Sequence, residues 1–271
     1  MKKFAVVGSP ISHSVSPKIH AEFARSLNLE LSYKAIEVNK DEFTKKLRRL
    51  FENNYDGLNV TLPLKELAYQ FADEVTPRGV TAGAVNTLWK KDGKIYADTT
   101  DGLGLIEDLN NNSISIRNSS IIVVGAGGSA KSILHNLVDM RPKEITIINR
   151  TESRAESLAE LFKGTTTTIR TSSLKKGLKR KINGIINTSS AGLLGDDIIV
   201  PEGLFSSAEW VYDLNYSKDP TQFISLAKQK GIKNCLDGVG MLVHQAALSF
   251  EIWTGEKPFT KNIINHIRTL L

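Results

Sequence analysis

The stretch Ile121-Ile-Val-Val-Gly125-Ala126-Gly127-Gly128-Ser129-Ala130 joins an apolar run to a glycine-rich turn and a helix-forming segment. Ile121 to Val124 has the composition of a buried parallel strand. From Ser129 to Met140, apolar Ala130, Ile133, Leu134, Leu137 and Val138 recur at helical spacing. Strand, glycine turn and helix in this order predict a dinucleotide cradle. Gly125 makes the tight turn, Gly127 lets backbone approach a pyrophosphate, and small Ala130 lets helix and sheet pack closely. The free N–H groups of the helix's first turn then face the phosphates.

The next strand bears on which nucleotide is held. Lys143 to Ile148 fits that strand, and an NAD site usually ends it with a carboxylate for the ribose hydroxyls. This chain instead reads Asn149-Arg150-Thr151-Glu152-Ser153-Arg154. Two guanidinium groups favour an additional phosphate, which a planar fork holds bidentately, so NADP(H) is preferred over NAD. The plainer alternative makes Arg150 and Arg154 ordinary surface charges.

Working outward, 271 residues with 41% hydrophobic content supply enough chain for two cores. One cysteine, Cys235, leaves no internal disulfide framework and fits a reducing compartment. The apolar run after Met1-Lys-Lys stops at Val7, before Gly8-Ser9-Pro10, which favours a first strand over a signal segment. No stretch approaches the roughly 18 to 20 apolar residues of a membrane span, so a soluble protein without a membrane partner is expected. The net charge of +6 is dispersed. Lys45, Lys46, Arg48 and Arg49 share a segment with Phe43, Leu47 and Leu50, and Lys175 to Lys181 lacks interleaved aromatics, so both read as solvated faces rather than a nucleic-acid surface.

The first hundred residues alternate strands and helices. Strands are expected at Phe4 to Val7, Ser32 to Val38 and Asp56 to Val60, with helices at Pro17 to Leu27, at Asp41 to Phe51 with a carboxylate cap, and at Lys65 to Ala72. Val85 to Trp89 and Lys94 to Ala97 flank Lys90-Lys-Asp-Gly93 as a hairpin, giving a mixed sheet. A linking helix at Leu105 to Asn110 precedes the cradle. Strands at Thr166 to Arg170, Gly184 to Asn187, Trp210 to Asp213 and Asn234 to Leu236, with helices at Arg154 to Phe162 and Phe223 to Lys230, continue a doubly wound α/β pattern. Helical periodicity returns at Met241 to Trp253 and Lys261 to Leu270.

Polar clusters punctuate the first part: Ser12-His13-Ser14-Val15-Ser16-Pro17, Asn59-Val60-Thr61-Leu62-Pro63-Leu64-Lys65, Asn86-Thr87 and Thr100-Asp101. Each alone can be a cap or a loop tie. Together they offer hydroxyl, amide, ammonium and carboxylate groups suited to a small polyhydroxylated acid. The histidines His13, His20, His135, His244 and His266 show no metal-ligand spacing, so no metal is expected; His20 is placed in the core or at the domain surface.

With these motifs in this order, joined by Gly83-Ala-Val-Asn86-Thr87 and Asp237-Gly238-Val-Gly240-Met241-Leu-Val-His-Gln245, nearly the whole chain resembles the shikimate dehydrogenase family. The resemblance implies a mixed-sheet substrate domain over 1–101, completed by helices at 238–271, and a Rossmann-type NADP domain over 102–237 that includes the linking helix. It implies reversible reduction of 3-dehydroshikimate to shikimate by NADPH, a cytoplasmic role in chorismate and aromatic amino-acid biosynthesis, and a monomer or homodimer. Ser14 and Ser16 match the pair that holds the substrate carboxylate. Thr61, Asn86, Asp101 and Gln245 match residues around the ring oxygens, and Lys65 with Asp101 matches the catalytic pair. Gly125, Ala126, Gly127, Gly128, Ser129 and Ala130 match the pyrophosphate loop, and Asn149, Arg150, Thr151 and Arg154 the adenosine-phosphate clamp. Gly238 and Met241 are implied near the nicotinamide and Tyr216 near the substrate. Where relatives commonly have asparagine before Thr100, this chain has Thr99; Ser217 follows Tyr216 where asparagine is frequent, and Ala246 replaces a frequent glycine.

The chemistry fits those residue types. Hydride addition to a carbonyl develops negative charge on oxygen, which a cationic donor stabilises and protonates. Lys65 can do this, and Asp101 can orient it while favouring the charged ammonium. Two alternatives remain at this stage. One is a nucleotide-binding regulator without turnover, and the other a quinate dehydrogenase, whose substrate has a saturated ring and one more hydroxyl.

Overall fold

In the computed structural model, residues 1–178, 180–189, 191 and 198–271 are described. They divide into two compact units, 1–107 with 242–270, and 108–241 with Leu271. These divisions at 107/108 and 241/242 fall inside two continuous helices, a few residues beyond the 101/102 and 237/238 boundaries expected from the sequence.

The first unit begins β1 (Lys2–Gly8), α1 (Ser16–Ser26), β2 (Leu31–Glu37), α2 (Phe43–Glu52), β3 (Gly57–Val60), α3 (Lys65–Phe71), β4 (Glu74–Val75), α4 (Pro77–Ala82), β5 (Thr87–Lys91) and β6 (Lys94–Asp98). The strands form one sheet in the order β2-β1-β3-β5-β6-β4. β1 lies parallel to β2 and β3, whereas β5 is antiparallel to β3 and β6, so the sheet is mixed as expected. The hairpin between β5 and β6 turns at Asp92 and Gly93, both at positive φ (50° and 78°), the pairing that matches strand twist in a two-residue turn. On α2, Phe43, Leu47, Leu50 and Phe51 are buried while Lys45, Lys46, Arg48 and Arg49 face solvent. The expected carboxylate cap is absent. Lys40–Glu42 forms a separate 3₁₀ turn, and α2 starts after it without a side-chain cap.

α5 (Asp101–Asn111) leads into the second unit. There follow β7 (Ser120–Val124), α6 (Gly128–Asp139), β8 (Glu144–Asn149), α7 (Glu152–Glu160), β9 (Thr168–Ser173), β10 (Gly184–Asn187), β11 (Trp210–Asp213), α8 (Gln222–Gln229) and β12 (Asn234–Leu236). All six strands are parallel in the order β12-β11-β10-β7-β8-β9, the doubly wound arrangement with its switch point between β7 and β10. β9 starts two residues later than its threonine run suggests, because Thr167 is buried with its hydroxyl on the Pro142 carbonyl. α9 (Val239–Thr254) and α10 (Lys261–Leu270) close the chain. No helix among the described residues is long and apolar enough to cross a membrane.

The carboxy-terminal part of α9 belongs to the first unit and covers its sheet. Trp253 stacks on Phe4 with ring centroids 4.6 Å apart and donates its indole N–H to the Leu88 carbonyl at 3.1 Å. A Cβ at Gly57 would collide with that indole, which is why the strand is bare at this point.

Under this layer His20 is fully buried and stacks on Tyr33 at 4.0 Å, and neither ring nitrogen has a hydrogen-bond partner among the described residues. Burial lowers its pKa from 6.5 to about 3; Asn59 opposes this, but its amide is committed to Tyr33, Asn86 and Ser249. The unfolded chain therefore takes up a proton at His20 below pH 6.5 that the folded chain refuses until about pH 3. Stability is retained above 6.5 and falls through that window by about 1.4 kcal/mol per pH unit from this group. Urea midpoints taken from pH 6.5 to 4 should decline more steeply for the parent than for H20F. Parallel curves would remove His20 from the account of acid sensitivity.

Candidate active site

The first unit builds a polar cluster from the ends of β3, β5 and β6 and from α9. β3 ends at Thr61-Leu62-Pro63, and the Leu64 N–H donates to the Thr61 carbonyl at 3.0 Å, a turn that sets Lys65 at the start of α3. Gly8 makes room for this turn, since a Cβ there would come within 2.5 Å of the Thr61 methyl. The Val85 N–H donates to the Lys65 carbonyl at 3.1 Å and ties α3 to the Gly83-to-Thr87 segment. Lys65 Nζ lies 2.6 Å from Asp101 Oδ2, with side-chain exposures of only 11% and 7%. A pair this enclosed loses its mutual compensation when either partner is removed.

Asn86 organises the cluster. Its Nδ2 group is within 2.9 Å of Asp101 Oδ1, 2.9 Å of Thr100 Oγ1 and 3.0 Å of Gln245 Oε1, while its Oδ1 accepts from the Thr100 N–H at 2.9 Å. The amide thus joins the first residue of α5 to the α9 glutamine. Gln245 spends its own Nε2 on the Leu242 carbonyl at 2.8 Å. Ala246 is buried within the helix. Behind Asn86, Asn59 Nδ2 donates to the Asn86 carbonyl at 3.1 Å and to Ser249 Oγ at 2.9 Å, and Tyr33 donates to Asn59 Oδ1 at 2.7 Å. Burial holds the Tyr33 phenol well above its ordinary pKa, against an opposing hydrogen bond from Ser16. The Ser16 N–H donates to Ser14 Oγ at 3.3 Å. Thr61 contributes to the cluster through its backbone turn.

Asp98 anchors the segment that delivers Asp101. Its carboxylate accepts from Thr76 Oγ1 at 2.6 Å, Arg78 Nε at 2.7 Å and the Thr99 N–H at 2.7 Å, and also pairs with the second Arg78 nitrogen. Thr99 is buried, and its hydroxyl has no hydrogen-bond partner among the described residues. Arg78, Asp98, Tyr33 and Ser249 are absent from the sequence-derived site. Ser249 carries one faint signal in the sequence, a polar residue four positions after Gln245 in an otherwise apolar helix.

In the second unit the glycine loop lies at the switch point. Gly125 adopts φ +110°, and a Cβ there would strike the Thr188 hydroxyl after β10. Gly127 and Gly128 differ, because a Cβ on either would project into open space. α6 begins at Gly128 without a side-chain cap, which leaves its first N–H groups for an anion. Ala130 is fully buried against the sheet. At the end of β8, Asn149 Nδ2 donates to the Thr151 carbonyl at 2.8 Å, while Arg150, Thr151 and Arg154 are exposed and neither guanidinium is engaged by a described residue. These residues fit a nucleotide bearing a 2′-phosphate.

Near the ends of β10 and β11, buried Asp213 accepts from Asn187 Nδ2 at 2.9 Å, Thr221 Oγ1 at 2.6 Å and the Asn215 N–H at 3.1 Å. Burial raises the Asp213 pKa, and these hydrogen bonds oppose the rise. Asn215 also reaches the Ser189 carbonyl at 2.8 Å and accepts from the Gly238 N–H at 3.1 Å, so it fixes the loop bearing Tyr216. Burial raises the Tyr216 phenol as well. Among the described residues no group of three or more His, Cys, Asp or Glu could hold a metal.

Comparison with known proteins covers both units. Residues 6–88 match the shikimate dehydrogenase substrate binding domain, 108–198 the shikimate/quinate 5-dehydrogenase domain and 238–268 the shikimate 5′-dehydrogenase C-terminal domain. A shikimate dehydrogenase (NADP(+)) of Vibrio cholerae serotype O1 is 43% identical over 98% of this chain and 95% of its own. Shikimate 5-dehydrogenase from Thermus thermophilus, solved in complex with NADP(H) and shikimate, superposes with a TM-score of 0.88 at 33% identity over the full length of both chains. An Ael1 enzyme from Pseudomonas putida superposes at 0.90 with 35% identity over 98% of each chain.

Proposed function

The chain belongs to the shikimate dehydrogenase family and interconverts 3-dehydroshikimate and shikimate with NADP(H), and we propose that Lys65 and Asp101 carry the proton transfer. The observation that supports this pair is the enclosed 2.6 Å contact between ammonium and carboxylate, held in place by Asn86. NADPH, when bound, supplies the hydride. The residues of the chain do the rest. Lys65 stabilises negative charge growing on the C3 oxygen and donates the proton; in the reverse direction it accepts one. Asp101 keeps the ammonium aimed and accepts from a ring hydroxyl. Ser14 and Ser16 hold the substrate carboxylate, with Thr61, Asn86 and Gln245 lining the ring and Tyr216 approaching it.

On the nucleotide side, Gly125 to Ala130 hold the pyrophosphate. Asn149, Arg150, Thr151 and Arg154 hold the adenosine 2′-phosphate, and Gly238 with Met241 borders the nicotinamide.

Absorbance at 340 nm should rise when the protein is incubated with shikimate and NADP. Its failure to rise, with cofactor binding intact, would favour a regulator that has lost turnover. Quinate is the second substrate to measure, because the family model matching 108–198 carries both substrate names. The paired serines and the ring-oxygen donors favour shikimate, and a larger kcat/KM for quinate would reverse the substrate assignment.

A further inference from the structure

Tyr212 on β11 is fully buried, and its hydroxyl is used twice. It donates to Asp108 Oδ2 at 2.7 Å and accepts from the Met241 N–H at 3.3 Å. Asp108 is itself buried on α5, and Met241 lies in the first turn of α9. The backbone is approached so closely at two positions here, Gly238 and Gly240, that neither has room for a side chain. A Cβ on Gly240 would overlap the Asp108 carboxylate, and one on Gly238 would overlap the Leu214 carbonyl. The first N–H groups of a helix have no partner inside it. Here two of them are satisfied from outside, Val239 N–H by Asp237 Oδ1 at 3.2 Å and Met241 N–H by Tyr212. Phenylalanine would fill the same volume in the strand, so the hydroxyl is what this position adds.

We propose that Tyr212, anchored by Asp108, is a positioning residue for the nicotinamide side of the nucleotide unit, fixing the first turn of α9 and with it Gly238 and Met241. The inference rests on the placement of those two residues at the nicotinamide. Burial and the neighbouring Asp108 carboxylate push the Tyr212 phenol well above its ordinary pKa, so it remains a hydrogen-bond donor throughout the working range. Without the hydroxyl, Met241 N–H and one oxygen of Asp108 each lose a buried partner.

Steady-state kinetics on the full chain, with shikimate and NADP varied separately, test this. Y212F should raise KM for NADP roughly five- to tenfold, the size of one lost buried hydrogen bond, while KM for shikimate stays within about twofold. D108N keeps an acceptor for the phenol and should lie much nearer the parent than D108L. A merely structural role predicts instead that both KM values rise together as the melting temperature falls, and that result, or an unchanged KM for NADP in Y212F, overturns the proposal. M241A separates the premise from the inference. If M241A leaves KM for NADP at the parent value, the placement of Met241 fails; if M241A raises it and Y212F does not, the lock fails. Should Y212F not fold, the D108N and D108L pair carries the same comparison.

Discussion

Replacing Lys65 with alanine should lower turnover by at least roughly 100-fold in both directions while changing KM for shikimate far less, the usual size of a positioned acid/base contribution. The split follows from when the interaction is made. In the proposed role the ammonium meets a neutral carbonyl in the ground state and a developing alkoxide in the transition state, so most of its value appears only at the barrier. The same substitution strips Asp101 of its cationic partner at 2.6 Å in a site where the carboxylate side chain is 7% exposed. Removing one member of an enclosed pair costs about 3–5 kcal/mol, so K65A must be assayed below its own melting transition. Asn86 Nδ2 still donates to Asp101 Oδ1 at 2.9 Å, which gives the variant a remaining anchor for the carboxylate. K65A with near-parent kcat, measured as folded protein, would exclude Lys65 as the principal proton carrier.

The elements legible from sequence are those whose signal is local. The β7 run, the glycine turn and α6 share one contiguous stretch, and the Asp92-Gly93 turn announces its hairpin in two residues. β4 and α4 leave no such signal, because a two-residue strand has no periodicity and α4 is one short helix beginning at Pro77. The carboxylate cap expected on α2 does not form because Lys40–Glu42 takes a tighter helical turn, so the carboxylates at 41 and 42 precede the α-helix without capping it.

For the site, composition identifies which polar residues are unusual but not what each one touches. Asn86 is named by a motif, yet its bond to Gln245 spans 159 positions, and Tyr212 meets Asp108 across 104. Such partners are chosen by packing of strands and helices. Nothing near Tyr33 or Asp98 in the chain marks the one as a support for Asn59 or the other as an anchor for the segment bearing Asp101.

Replacing Arg150 and Arg154 together with alanine should weaken NADP binding on the order of 100-fold and NAD binding by less than about threefold, because only NADP loses charge-assisted hydrogen bonds worth about 1.5–3 kcal/mol each. Both guanidinium groups are exposed and unengaged by described residues, and they flank the end of β8, where an NAD site usually carries a carboxylate. Exposure also sets a limit. Solvent and salt screen these charges, so the parent's preference for NADP should shrink as ionic strength rises, and the doubly substituted chain should show little such dependence. The substitution is unlike K65A in leaving no buried charge behind, so melting temperature should barely move. Parallel titrations with NADP and NAD at one ionic strength isolate the phosphate contribution. Equal losses for the two nucleotides would make the arginines general electrostatic groups and return the source of cofactor preference to the rest of the loop, where Asn149 and Thr151 are the next residues to replace.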